Sequence, residues 1–226
     1  MAPALVLAAA LLGWSAVGNL VLGEWLYLGR NLLLTGLLVL FARRAGIRWS
    51  GLGLAGERWR DGARWGGIAA LVVAGFVGLG VLLGDHAGPL SALLDDQRAD
   101  LSTSELAYHT ALRIPLGTAL FEEVAFRGAL LGLLLTRFGV RGAVAVSSVV
   151  FGLWHIPPTM VALEVNGIVA GSPEGVLAIV GAVVVTTAAG VLFSALRLVS
   201  GSLLAPVLAH WATNSLGLLA AALVDL

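Results

Sequence analysis

Seven stretches of mostly apolar residues run along this chain, near 4–23, 27–42, 65–84, 105–136, 141–156, 175–197 and 202–224. All but the fourth are close to the 20 or so residues that a helix needs to cross the hydrocarbon core of a bilayer. The expected fold is therefore an all-α, polytopic transmembrane bundle of about seven spans, with an eighth as the alternative. Composition agrees: 59% of the 226 residues are hydrophobic and 12% are charged. A soluble domain carries about 25% charged residues, enough to cover a water-facing surface.

The fourth stretch is too long for one straight crossing and is expected to tilt or project. The fifth is short, and Pro157-Pro158 are expected to end its helix. No Lys or Arg precedes the first stretch, so it reads as a retained span rather than a signal peptide. Residues 1–64 form an N-terminal helical hairpin followed by a basic segment, and residues 65–226 form the remaining bundle.

The loops sort by charge. Arg43, Arg44, Arg48, Arg58, Arg60 and Arg64 lie between the second and third spans, Arg137 and Arg141 flank a later turn, and Arg197 another. The intervening loops hold Asp85, Asp95, Asp96 and Asp100, or Glu164 and Glu174. The positive-inside rule then places the N-terminus in the cytoplasm, and the composition points to a bacterial plasma membrane. Within 42–64, arginines mix with Trp49, Leu54 and Trp59, which fits either a segment lying at the membrane surface or an ordinary cytoplasmic loop. Net charge is zero, with no basic stripe of the kind that binds nucleic acid. The absence of cysteine excludes disulfides, thiolate metal sites and cysteine nucleophiles. Thr186, Gly190 and Ser194 recur at helical spacing and predict close helix packing.

The informative residues are the polar ones inside the spans, because an ionisable side chain in a membrane is costly. The fourth span carries Glu122, Glu123 and Arg127. Glu123 and Arg127 are four apart and can pair on one helix face. Glu122 points about 100° away, without that partner, and is the candidate general base. The fifth span ends in Phe151-Gly-Leu-Trp-His155, and the seventh holds His210 and Asn214, again four apart. At 1.5 Å per residue, Glu122 lies about 22 Å from Arg137, His155 about 21 Å from Arg141, and His210 about 15 Å from Ser200. The carboxylate, imidazoles and amide thus share one depth to within a turn or two. His86 and His109, near the acidic loop, read as solvated. Glu24, Asn19, Asn31 and Arg30, at the first hairpin, read as interfacial, and Asp225 lies at the exit of the last span.

At these residues the sequence resembles the CPBP group of intramembrane proteases, which includes the type II CAAX prenyl endopeptidases and bacteriocin-processing or self-immunity proteins. The family's Glu-Glu-x-x-x-Arg matches Glu122, Glu123 and Arg127. Its Phe-x-x-x-His matches Phe151 and His155, and its His-x-x-x-Asn matches His210 and Asn214. The resemblance covers about residues 110–220. It implies an endopeptidase in which Glu122 activates water with help from His155, while His210 and Asn214 stabilise the oxyanion. Glu123 and Arg127 would support that shell. The resemblance also raises a metal-assisted alternative, in which Glu122, His155 and His210 would hold a divalent cation such as zinc. The implied substrates are membrane-associated, prenylated or leader-bearing peptides and proteins. A non-enzymatic membrane partner or immunity protein, or less readily a transporter, would use the same polar cluster differently. Oligomeric state is not legible.

Overall fold

A computed structural model describes residues 2–24, 26–84 and 99–224. Asp85, His86, Asp95, Asp96 and Asp225 lie outside the described residues. Among those described there is no strand, and the chain is a helical bundle. Helix α1 spans Ala2–Ala16 and ends in a wider turn, Val17–Val21. Helix α2 is Tyr27–Arg44 and α3 is the short Trp49–Leu52. Helix α4 is Trp59–Gly84. Helix α5 covers residues 103–135 as one rod, π-helical over His109–Ala119 and Val124–Leu130. Helices α6 (Val140–Trp154) and α7 (Ile156–Val165) meet at His155. The last two are α8, Pro173–Ser200, and α9, Leu204–Val224.

Among the described residues, four segments are long and apolar enough to cross a membrane: Ala2–Val21, Trp49–Leu83, Val140–Val165 and Pro173–Ser200. Their outward faces are greasy. Leu71, Phe76 and Leu82 on α4 are about three-quarters exposed, as side chains that meet lipid tails rather than water should be. The interior is built around α5. From Phe121 to Leu134 every residue is buried, between Leu7 and Leu11 of α1, Ala42 of α2, Leu52, and Phe151 and Trp154 of α6. The polar pair of adjacent glutamates is therefore in the rod that is wrapped on all sides.

Two expectations are corrected. Pro157-Pro158 do not end the fifth rod. They stand in the first turn of α7, where a proline's missing N–H is not needed and its fixed φ suits the helix. The break is confined to His155 (φ −83°, ψ −3°), and the rod runs on to Val165. Asn31 is not interfacial. It is 4% exposed, and its amide donates to the Gly117 carbonyl at 2.8 Å, tying α2 to the π-helical part of α5. The rest of that group does sit near the hairpin end. Glu24 is exposed and pairs with Arg113 of α5 (3.1 Å), Asn19 donates to the Ser15 carbonyl, and Arg30 to the Gly18 carbonyl. His109 is half-buried, its ring edge-on to Tyr108.

In lipid, helices gain nothing by hiding apolar surface from one another, so close packing of small residues must hold them. The α6–α8 seam shows this. A side chain on Gly152 would overlap the Thr187 hydroxyl and come within 2.8 Å of the Val183 carbonyl. Gly190 faces Ser148 in the same seam, and Ser194 is fully buried. Thr186, the third residue of the small-residue pattern, turns its hydroxyl back to its own helix at Ala182. The seam matters because Gly152 lies three residues from His155.

Candidate active site

Four helix segments converge on one buried point. Glu122 and Glu123 come from the middle of α5, His155 from the α6–α7 break, His210 from α9, and Phe193 from α8. Glu122 is 7% exposed, Glu123 0%, Arg127 1% and His210 3%, while the His155 side chain keeps 22%. Glu122 Oε2 lies 4.0 Å from His155 Nε2 and 3.9 Å from His210 Nε2. These separations are too long for direct hydrogen bonds. The other carboxylate oxygen of Glu122 accepts a long bond from the Trp154 indole N–H, at 3.4 Å.

Both imidazoles are held from behind. His155 Nδ1 sits 2.7 Å from the Phe151 carbonyl, one turn back on its own helix. A carbonyl can only accept, so Nδ1 carries the proton and Nε2 faces Glu122. His210 Nδ1 sits 2.8 Å from Glu123 Oε1, which fixes the same tautomer. His210 is also stacked on Phe193, with centroids 5.1 Å apart and planes 19° apart. Glu123 Oε1 accepts a second bond, from Arg127 Nη1 at 2.9 Å. The expected Glu123–Arg127 pair therefore forms. It does more than brace its own helix, because the same oxygen orients a ring on α9.

Phe151 acquires a physical role. The Arg127 guanidinium lies 3.9 Å from the centroid of its ring, and His155 meets it edge-on at 4.6 Å. A buried cation over an aromatic face is stabilised where water cannot help. The phenylalanine four residues before His155 is thus the platform between the ion pair and the imidazole. Asn214 is one turn beyond His210 and half-buried. Among the described residues its side chain makes no hydrogen bond, so the structure places it beside the cluster rather than tying it in. Two contributors were not singled out from the sequence. Trp154 adjoins His155 in the chain, and its apolar body gave no hint of a polar contact. Phe193 lies in an apolar run with no distinguishing signal.

A tetrahedral zinc ion binds N and O ligands at about 2.0–2.2 Å, which places ligand atoms roughly 3.4 Å apart. The 3.9 and 4.0 Å separations around Glu122 are wider, and among the described residues no three His, Cys, Asp or Glu side chains are grouped to hold a metal ion. The expected ligand set Glu122, His155 and His210 does not fit a metal centre as arranged.

A bundle of apolar helices enclosing a buried carboxylate that faces two oriented imidazoles fits an integral membrane protein. Residues 104–216, half of the chain, match the family described as Type II CAAX prenyl endopeptidase Rce1-like, and the chain belongs to that family. Every residue of the cluster falls within the matched range. Comparison with curated proteins and with solved structures gave no match.

Proposed function

We propose that this protein is an intramembrane endopeptidase that hydrolyses peptide bonds with a water activated by Glu122, without a metal. The observation that carries the reading is the convergence of two imidazole Nε2 atoms on one Glu122 oxygen at 3.9–4.0 Å. A water shared by Glu122 and His155 can give its proton to the carboxylate as it attacks the scissile carbonyl. The Glu122 carboxyl then passes that proton to the departing amine, so one water is consumed and an acid and an amine are released. His210 serves the oxyanion only with a proton on Nε2, and the resulting positive ring would lie against the Glu123 carboxylate. Asn214, on the same face one turn away, would supply a second donor.

The substrate we infer is a membrane-anchored protein or hydrophobic peptide, prenylated or leader-bearing, that reaches the site from the bilayer. The partly exposed edge of His155 would be its point of entry. The arginine-rich turns would face the cytoplasm of a bacterial plasma membrane. The test compares newly formed peptide termini in membranes holding the wild-type chain or Glu122→Gln at equal abundance. The expected result is a set of termini that vanishes with the variant. Identical termini in both, with the biological effect retained, would instead support a non-enzymatic partner.

A further inference from the structure

A cavity of about 750 Å³ opens between the end of α2 and the start of α4. Arg43, Arg48, Trp49, Ser50, Leu54 and Glu57 line it. The Arg43 guanidinium lies 4.7 Å from the centre of the Trp49 ring and donates to the Ile47 carbonyl at 2.8 Å, so this cation is held in place rather than free to sweep solvent. Arg44, Arg58, Arg60 and Arg64 belong to the same stretch of chain, and the two acids of the segment are Glu57 and Asp61, the latter paired with Arg58 at 3.0 Å. Trp49 is 50% exposed and Trp59 64%.

The segment is fastened to the bundle by its inner side. Arg197 of α8, 6% exposed, donates to the Ser50 and Gly51 carbonyls at 2.8 and 2.9 Å. Gly53 adopts φ +77° directly beneath that guanidinium, where any side chain would collide with it, and its carbonyl accepts from Leu203 N at 2.9 Å. A rigid, basic, tryptophan-edged hollow therefore sits where two bilayer-crossing rods end. Exposed indoles there belong at headgroup level. The guanidinium groups of Arg43 and Arg48 beside Trp49 and Leu54 are complementary to a phosphate that carries acyl chains.

The geometry points to a binding site for the headgroup of an acidic phospholipid, with Arg43 and Arg48 on the phosphate and Trp49 and Leu54 against the glycerol and upper acyl chains. The site is independent of the proteolytic reading. The full chain in detergent is titrated with phosphatidylglycerol or with phosphatidylcholine, and bound lipid is counted by native mass spectrometry. Wild type is expected to hold one phosphatidylglycerol in clear preference to phosphatidylcholine. Arg43→Gln with Arg48→Gln is expected to weaken that binding about thirtyfold, roughly fivefold for each arginine lost, and to leave phosphatidylcholine unchanged. Arg137→Gln with Arg141→Gln, at another basic turn, is expected to leave it within about twofold. Should the Arg43 change unfold the segment through its Ile47 bond, Arg48→Glu, at an exposed position, carries the same expectation in direction. Equal affinity for the two lipids, an unchanged affinity in the Arg43/Arg48 variant, or full competition by soluble glycerol phosphate would overturn the assignment.

Discussion

Removing Arg127 tests the reading of the buried ion pair most directly. Arg127→Met keeps much of the side-chain volume over Phe151 and takes away the charge. Glu123 is fully buried and would be left with only the His210 ring as a partner. An uncompensated charge created this way costs about 3–5 kcal/mol, and the lost cation–π contact contributes to that figure. Glu123→Gln alone should cost a similar amount, because it strands Arg127 at 1% exposure. Combining the two removes both charges while a glutamine oxygen still accepts from His210 Nδ1–H. The double variant should then recover at least about 2–3 kcal/mol relative to the sum of the singles. The assay is equilibrium unfolding in mixed micelles with rising SDS, read by the tryptophan signal, for all four proteins. Losses that add to within about 0.5 kcal/mol would refute the claim that Glu123 and Arg127 act as one unit.

Three further outcomes are expected. Gly152→Val should force α6 from α8 at Thr187 and destabilise the fold by about 1–3 kcal/mol; a melting temperature equal to wild type would contradict the seam as described. Asn31→Ala should cost about 1–3 kcal/mol, because it leaves the Gly117 carbonyl without its donor, and unfolding in the same micelles measures it. Exhaustive chelation should leave the formation of new peptide termini unchanged, and elemental analysis should find less than one metal per chain; loss of activity restored by a single metal would sink the metal-free mechanism.

Much of this protein is legible in its sequence. The number and approximate place of the helical rods follow from apolar run length, because a bilayer leaves the backbone no other economical way to satisfy its hydrogen bonds. The identity of the cluster was legible for a related reason. Glu122, Glu123, His155 and His210 are conspicuous in apolar surroundings that make them costly, and counting helical rise placed them at one level. The Glu123–Arg127 pair was readable too, since both partners sit on one helix at a spacing set by its geometry.

The tertiary structure decided what depends on which faces meet. Spacing along α5 could pair Glu123 with Arg127, and only the approach of α9 could add His210 to the same oxygen. Phe151 could be matched to a motif, yet its work under the Arg127 guanidinium exists only once α6 lies across α5. Pro157-Pro158 looked like a stop. The fold made them a start, because the local rule that proline breaks a helix says nothing about where the next turn begins. Helical period and hydropathy are local properties of the chain and survive any packing. Contacts between rods in lipid depend on small residues, inter-helix hydrogen bonds and shape, which a one-dimensional pattern does not encode.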